Sequence, residues 1–209
     1  MEQVFLVDDD AGVRRSLARV LNDEGFSVEQ FDSAEAFLAR AEPPLEGCIV
    51  LDVTMPGLDG LELQRRLTGA GWSLPIVFVS GHGDIPMSVR AMKAGAVDFL
   101  TKPFREADLM GAINAALTRS REARRTRAEL ADLHQRLSLL TPREREVLTL
   151  VASGLLNKQA AAELGISEVT LQIHRGNIMK KMEADSLAEL VRMAGTLDIA
   201  PARSRHPSK

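Results

Sequence analysis

Asp8, Asp9 and Asp10 form an unbroken acidic run immediately after the apolar stretch Val4–Val7. Asp52 directly follows a second apolar stretch, Cys48–Leu51. Ser80 closes another, Ile76–Val79, and Lys102 comes just after Val97–Leu100. Carboxylates gathered in one place repel each other, so the set costs stability unless a cation neutralises it. Mg2+, or another divalent cation such as Mn2+, suits the role, because it takes oxygen ligands and keeps positions for water and phosphate oxygens. Beside such an ion one carboxylate can act as the nucleophile toward a phosphoryl group. A lysine ammonium supplies a compact charge for one phosphoryl oxygen, and a hydroxyl at Ser80 can donate to another. No separate general base is needed, since a carboxylate is already ionised near neutral pH.

That chemistry needs a fold that gathers the ends of distant segments. Residues 1–118 alternate the four apolar runs above, and a fifth at Phe26–Phe31, with amphipathic stretches at roughly 13–24, 33–41, 59–69 and 86–94, and one more from 105. This alternation predicts an α/β, doubly wound, five-stranded parallel sheet of the flavodoxin-like kind. Such folds bind ligands beyond the carboxyl ends of their strands, at the switch in strand order. Asp8, Asp9, Asp52 and Lys102 all fall there. Singly, each residue has a plainer reading: a helix N-cap for the acidic run, preferred for Asp10, a turn former for Ser80, a core aromatic for Phe99, a surface lysine for Lys102. Their joint placement at the ends of four strands favours a shared site.

From Arg105 to about Leu140 there is no Pro and only one Gly, Gly111. Leu109, Ile113, Ala116 and Leu117 can face the sheet, residues 119–129 are polar all round, and Leu130, Leu133, Leu137 and Leu140 resume a helical stripe. The pattern predicts a last sheet helix running on into a linker helix, its Arg-rich part solvated. Further on, every pattern is helical. TPREREVL opens with Thr141 as N-cap, Pro142 at N1 and Glu144 at N3, a capping box, and Gly154 ends that helix. Lys158–Leu164, Ser167–Met182 and Leu187–Leu197 supply three more. The predicted organisation is 1–118, a linker helix 119–140, an all-α four-helix domain 141–199, and a disordered tail 200–209 with little to bury.

Composition is that of a soluble globular protein, with 45% hydrophobic and 26% charged residues. The lone Cys48 reads as a buried small hydrophobe and rules out an internal disulfide. No secretory leader and no apolar stretch of membrane length are read, so a cytoplasmic protein without membrane contact is expected. The net charge of -3 divides into -8 over residues 1–118, +3 over 119–140 and +2 over 141–209. An acidic part joined to a mildly basic one points to two functions.

VDDD, LDVTMPGLDG, VSGHGD and DFLTKPF closely resemble the signature segments of receiver domains of two-component response regulators, over roughly residues 3–118. The resemblance implies Asp52 as phosphoacceptor, Asp9 as a direct Mg2+ ligand, Asp8 assisting through the metal shell, and the Thr54 backbone carbonyl as a further ligand. It implies Ser80 as the switch hydroxyl, Phe99 as the switch aromatic, Lys102 as the phosphate lysine, and a cis Lys102–Pro103 bond. TPREREVL, GLLNKQAAAELGIS, HRGNIMKKM and SLAELVRM resemble the DNA-binding domain of LuxR-type regulators, and GHGDIPMSVRAMKAGAVDF points to their FixJ-like subgroup. Ala160 departs from the pattern, replacing a larger apolar residue.

The residues of the second half support this. NKQAAAELGIS has a helix closed by Gly165, a short turn and Ser167 as the next N-cap, which is helix-turn-helix grammar. Leu171, His174, Ile178 and Met182 share a core-facing stripe, making His174 a core-edge residue. Val169, Gln172, Ile173, Gly176 and Lys180 fall off it. Ile173 could meet a thymine methyl and Gln172 an adenine edge, while Gly176 allows close backbone approach. Lys158, Thr170, Arg175, Lys180 and Lys181 are candidate phosphate contacts. The expected partners are a sensor histidine kinase, double-stranded promoter DNA, a second copy of the chain when phosphorylated (through Val89, Met92 and Phe99), and RNA polymerase. The expected protein is a regulator, not an enzyme. An aspartyl-phosphate hydrolase is disfavoured because Thr54 stands where its second Asp would be. A receiver that no longer takes phosphate is disfavoured by intact Asp9, Asp52, Ser80 and Lys102, and a protein-binding four-helix module is the minor alternative for the second half.

Overall fold

The computed structural model describes residues 1–40, 46–81 and 85–199. His82, Gly83 and Asp84 of the VSGHGD segment, Ala41 at the end of the second helical stretch, and the tail 200–209 lie outside the described residues. Two compact units divide within the long helix, one covering Met1–Arg125 and the other running from Thr126 onward.

The first unit alternates strands β1 (Gln3–Val7), β2 (Ser27–Phe31), β3 (Cys48–Asp52), β4 (Ile76–Ser80) and β5 (Asp98–Thr101) with helices α1 (Ala11–Asp23), α2 (Ala34–Leu38), α3 (Gly60–Gly69), α4 (Ile85–Lys93) and α5 (Glu106–Ser138). The strands pair in parallel in the order β2-β1-β3-β4-β5. β3 and β4 are buried along their whole length, which is why they read as continuous apolar runs: both faces are covered by helices. The faces alternate residue by residue. Phe5, Val7, Ile49, Leu51 and Phe78 pack with Phe37, Leu63 and Leu67. Val4, Leu6, Val50, Val77 and Val79 pack with Leu21, Leu109, Ile113 and Ala116. Cys48 is fully buried, and burial pushes its thiol up to about 12, so it stays a neutral core group.

Asp52 is the last residue of β3, so the strand runs one residue further than the apolar stretch Cys48–Leu51 implies, because the Asp52 backbone still pairs with Val79 of β4. α1 begins two residues before the predicted amphipathic stretch. Asp10 caps it, accepting from the Gly12 and Val13 N–H groups at 2.6 and 3.1 Å, as read from the sequence.

In the second unit, α6 (Pro142–Ala152), α7 (Asn157–Leu164), α8 (Glu168–Met182) and α9 (Leu187–Thr196) enclose a core of Leu140, Val147, Leu148, Leu171, Ile178, Met182 and Leu190. The Thr141/Glu144 capping box is formed. Gly165, at φ 65, closes α7 in the left-handed region that a side chain would strain, and Ser167 caps α8 two residues later. Leu156 takes the N-cap position of α7, where its side chain cannot cap. Among the described residues no helix is long and apolar enough to cross a membrane.

Candidate functional site

Strand order reverses between β1 and β3, and their register places the site. Val7 pairs with Leu51, so Asp8 and Asp52 emerge one step further along neighbouring strands. Ser80 pairs with Thr101 at the ends of β4 and β5, which sets Lys102 just beyond. The backbone between Lys102 and Pro103 is cis, as the resemblance implied.

The Lys102 ammonium donates to Asp8 Oδ2 at 2.7 Å and to Asp52 Oδ2 at 2.8 Å. Asp52 Oδ1 accepts from the Thr54 N–H at 3.0 Å, and Asp8 Oδ1 from the Asp10 N–H at 2.9 Å. Arg14 donates to the Asp8 carbonyl at 2.6 Å, a contact no sequence pattern announced. Asp8 and Ser80 are fully buried and Asp52 nearly so, whereas Asp9 is exposed. Burial pushes the Asp8 carboxyl up, more than the hydrogen bonds from Lys102 and Asp10 pull it down. Burial alone would lower Lys102, but its hydrogen bonds to Asp52 and Asp8 raise it instead. The ammonium therefore stays protonated among the acids.

One carboxylate oxygen from each of Asp8, Asp9 and Asp52 lies within 4.8 Å of the others. All three donors are hard oxygens at one mouth, the donor chemistry that suits Mg2+ or Mn2+. The residues present fit such an ion. Gly60 opens α3 against the back of this site. Its N–H donates to the Val53 carbonyl at 2.9 Å, and a Cβ there would lie 2.3 Å from the Asp52 carbonyl oxygen. Glu35 of α2 accepts from the Leu58 N–H at 3.0 Å and so ties down the loop that follows Asp52. Phe99 is half-buried, its ring centroid 6.1 Å from that of Phe78. On α4, Ile85, Val89 and Met92 are exposed to 79%, 43% and 44%, an apolar row of which the sequence reading named only the last two.

In the second unit, one side of α8 is bare. Val169 and Ile173 are 68% and 60% exposed, beside exposed Gln172, Gly176 and Lys180. Exposed Asn177 adjoins this face and escaped the sequence reading, although an amide next to Gly176 was the available signal. Leu171, Ile178 and Met182 are fully buried on the opposite side and His174 is half-buried at the core edge. Lys158 is exposed on α7. The other named phosphate candidates are differently placed. Arg175 donates to the Asn157 side chain, and the Thr170 hydroxyl lies 2.9 Å from Ser167 Oγ. Lys181 donates at 2.7 Å to buried Glu144, whose second role as capping carboxylate leaves it in need of a cation. A helical wheel cannot reveal that pairing, since the acid sits on α6.

Residues 4–114 match the response regulator receiver domain family, and residues 138–194 match the luxR family of bacterial regulatory proteins. The chain is 50% identical to nodulation protein W of Bradyrhizobium diazoefficiens over 197 residues, 94% of this chain and 87% of that protein. It is 46% identical to the transcriptional regulatory protein FixJ of Azorhizobium caulinodans over 205 residues, 98% and 97% of the two chains. Among solved structures, the response regulator StyR is similar with a TM-score of 0.82 and 51% identity, covering 93% of this chain and 98% of that one.

Proposed function

Because this chain belongs to the response regulators that join a receiver domain to a LuxR-type DNA-binding domain, we propose that Asp52 accepts a phosphoryl group and that the added charge governs how the second unit engages promoter DNA. The observation that carries this reading is the Lys102 ammonium held between Asp8 and Asp52, over three carboxylates close enough to share one cation.

The family implies a sensor histidine kinase as donor and DNA as target. In the transfer, an Asp52 carboxylate oxygen forms a bond to phosphorus while the bond from phosphorus to the donor's imidazole nitrogen breaks and the donor keeps that electron pair. A small acyl phosphate serves equally, the broken bond then being P–O. Asp8, Asp9, Asp52 and the Thr54 carbonyl would hold Mg2+ or Mn2+, which supplies charge neutralisation for the phosphoryl oxygens. Lys102 hands one of its hydrogen bonds from Asp52 to a phosphoryl oxygen. Buried Ser80 turns its hydroxyl to another, and half-buried Phe99 fills the space this opens. That rearrangement biases a two-state surface. The apolar row on α4, with Val89 and Met92, pairs with a second copy, and two linked output domains gain affinity for a two-fold site. The bare face of α8 enters the major groove with Gln172 and Ile173 on base edges, and Lys158 and Lys180 on phosphates. RNA polymerase is the final partner, and the whole sequence takes place in the cytoplasm.

The deciding test is phosphorylation by acetyl phosphate with Mg2+, followed by selection of binding sites from random duplexes. Wild type should take one phosphoryl group per chain and enrich a two-fold sequence, and Asp52→Asn should do neither above background. Labelling of Asp52→Asn at the wild-type level would refute the assignment.

A further inference from the structure

The C-terminal end of α8 is held from outside the helix-turn-helix. Its C-cap residue, Glu183, lies at φ 54, in the left-handed region that strains a non-glycine side chain. Arg136, two residues before the end of α5, meets this strained end. Its guanidinium donates to the Met182 carbonyl at 3.1 Å and pairs with the Glu183 carboxylate at 3.1 Å. It also pairs with Asp132 one turn earlier on its own helix at 2.7 Å. The same junction is closed from the other side, where Arg145 of α6 donates to the Leu137 carbonyl at 3.2 Å and Leu140 is buried in the core of this unit.

We infer that Arg136 is a positioning residue for DNA recognition, and that the last turns of α5 act as a fifth helix of the DNA-binding unit, fixing the angle at which α8 presents its bare face. Three observations carry this. A planar guanidinium is the group that can serve a helix-end carbonyl and two carboxylates at once. A cation at the C-terminus of α8 complements the helix dipole. Arg136 is only 24% exposed and faces two acids, so little of its charge is left for a phosphate. The second anchor, Lys181 on Glu144, grips the same turn from α6. Between them these contacts leave the end of α8 little freedom to pivot, and base reading depends on that angle.

The inference rests on α8 being the DNA-reading helix, and the test separates the two claims. The full-length phosphorylated chain is titrated with a duplex that the wild type enriches from a random pool and with a scrambled duplex of the same length, over a range of salt. Arg136→Ala should lose about tenfold in affinity for the enriched duplex, with affinity for the scrambled duplex and the salt slope unchanged. Arg136→Lys, which keeps the charge without the fork, should fall in between, and Glu183→Ala should weaken discrimination in the same direction by less. Equal loss on both duplexes, with a salt slope shallower by about 1, would make Arg136 a phosphate contact and overturn the inference. Undiminished discrimination in Arg136→Ala would also overturn it. If that variant does not fold, undiminished discrimination in both Arg136→Lys and Glu183→Ala decides the matter the same way. Failure of the wild type to enrich any duplex would instead count against the reading of α8.

Discussion

The Lys102 ammonium lies 2.8 Å from Asp52 Oδ2 while holding Asp8 at 2.7 Å, so a single cation spans the nucleophile and the most buried acid beside it. Removing it strips a phosphoryl-oxygen donor and leaves Asp8 buried without its partner. Lys102→Ala should slow labelling by acetyl phosphate by about 10²–10³. It should also cost roughly 2 kcal/mol in urea unfolding without divalent metal, a value reduced for partial exposure of the lysine. Added Mg2+ should recover part of that stability, since it offsets the same carboxylates. An unchanged midpoint with or without the ion would contradict the shared-cation account.

Gly60 tests how closely α3 must approach the site. Gly60→Ala sets a methyl group 2.3 Å from the Asp52 carbonyl oxygen and 3.0 Å from Val53 Cα. Backbone on both sides must shift, at about 1–3 kcal/mol. Denaturant midpoints should report the loss, and phosphorylation of Asp52 should slow because its strand end moves. A neutral substitution would show that α3 can retreat freely.

For the α4 row, Val89→Glu or Met92→Glu places a charge on exposed apolar surface. Neither residue supports the core, so folding and the extent of Asp52 phosphorylation should remain as in wild type. The phosphorylation-dependent rise in sedimentation coefficient should disappear. Dimers that persist in both variants would send the search for the contact surface elsewhere.

Glu144 carries the acid sensitivity of the second unit. Burial pushes its carboxyl up, but the hydrogen bonds from Lys181 and Thr141 win and hold it below the ordinary 4.5. A depressed folded value means that the pair's contribution is complete above 4.5 and is lost as pH falls through the lower, folded value. In urea titrations followed by circular dichroism, the stability gap between wild type and Glu144→Gln should stay constant from neutral pH down to about 4.5 and close as pH falls further, through the folded value. A gap that widens in acid has the wrong sign for this pair.

Across α7 and α8, base reading and phosphate anchoring should separate. Gln172→Ala and Ile173→Ala should each cost about 1–3 kcal/mol against an enriched duplex and flatten preference at individual bases, leaving the salt slope intact. Lys158→Ala and Lys180→Ala should weaken all duplexes alike and reduce the slope by about 1 each. Lys181→Ala should act through stability instead, since its ammonium already serves Glu144.

Much of this was legible in the chain itself. Fully apolar runs such as CIVL and IVFV specify strands covered on both faces, and the intervening helical periods leave few topologies open. Residues at strand ends therefore report a site, and Asp8, Asp52, Ser80 and Lys102 could be named without coordinates because one edge of a parallel sheet gathers them. Thr141, Glu144, Gly165 and Ser167 were equally readable, since caps depend on neighbours within one turn.

What the order of residues did not determine is whom a long cation serves. Lys181 and Arg175 read as candidate phosphate contacts, yet they are engaged by Glu144 and Asn157 from other helices. Arg136 lies beyond the Arg-rich stretch 119–129, and no local pattern marks it, yet it closes the end of α8. Side chains with several rotatable bonds choose partners by distance in space, and those distances exist only once the elements have packed.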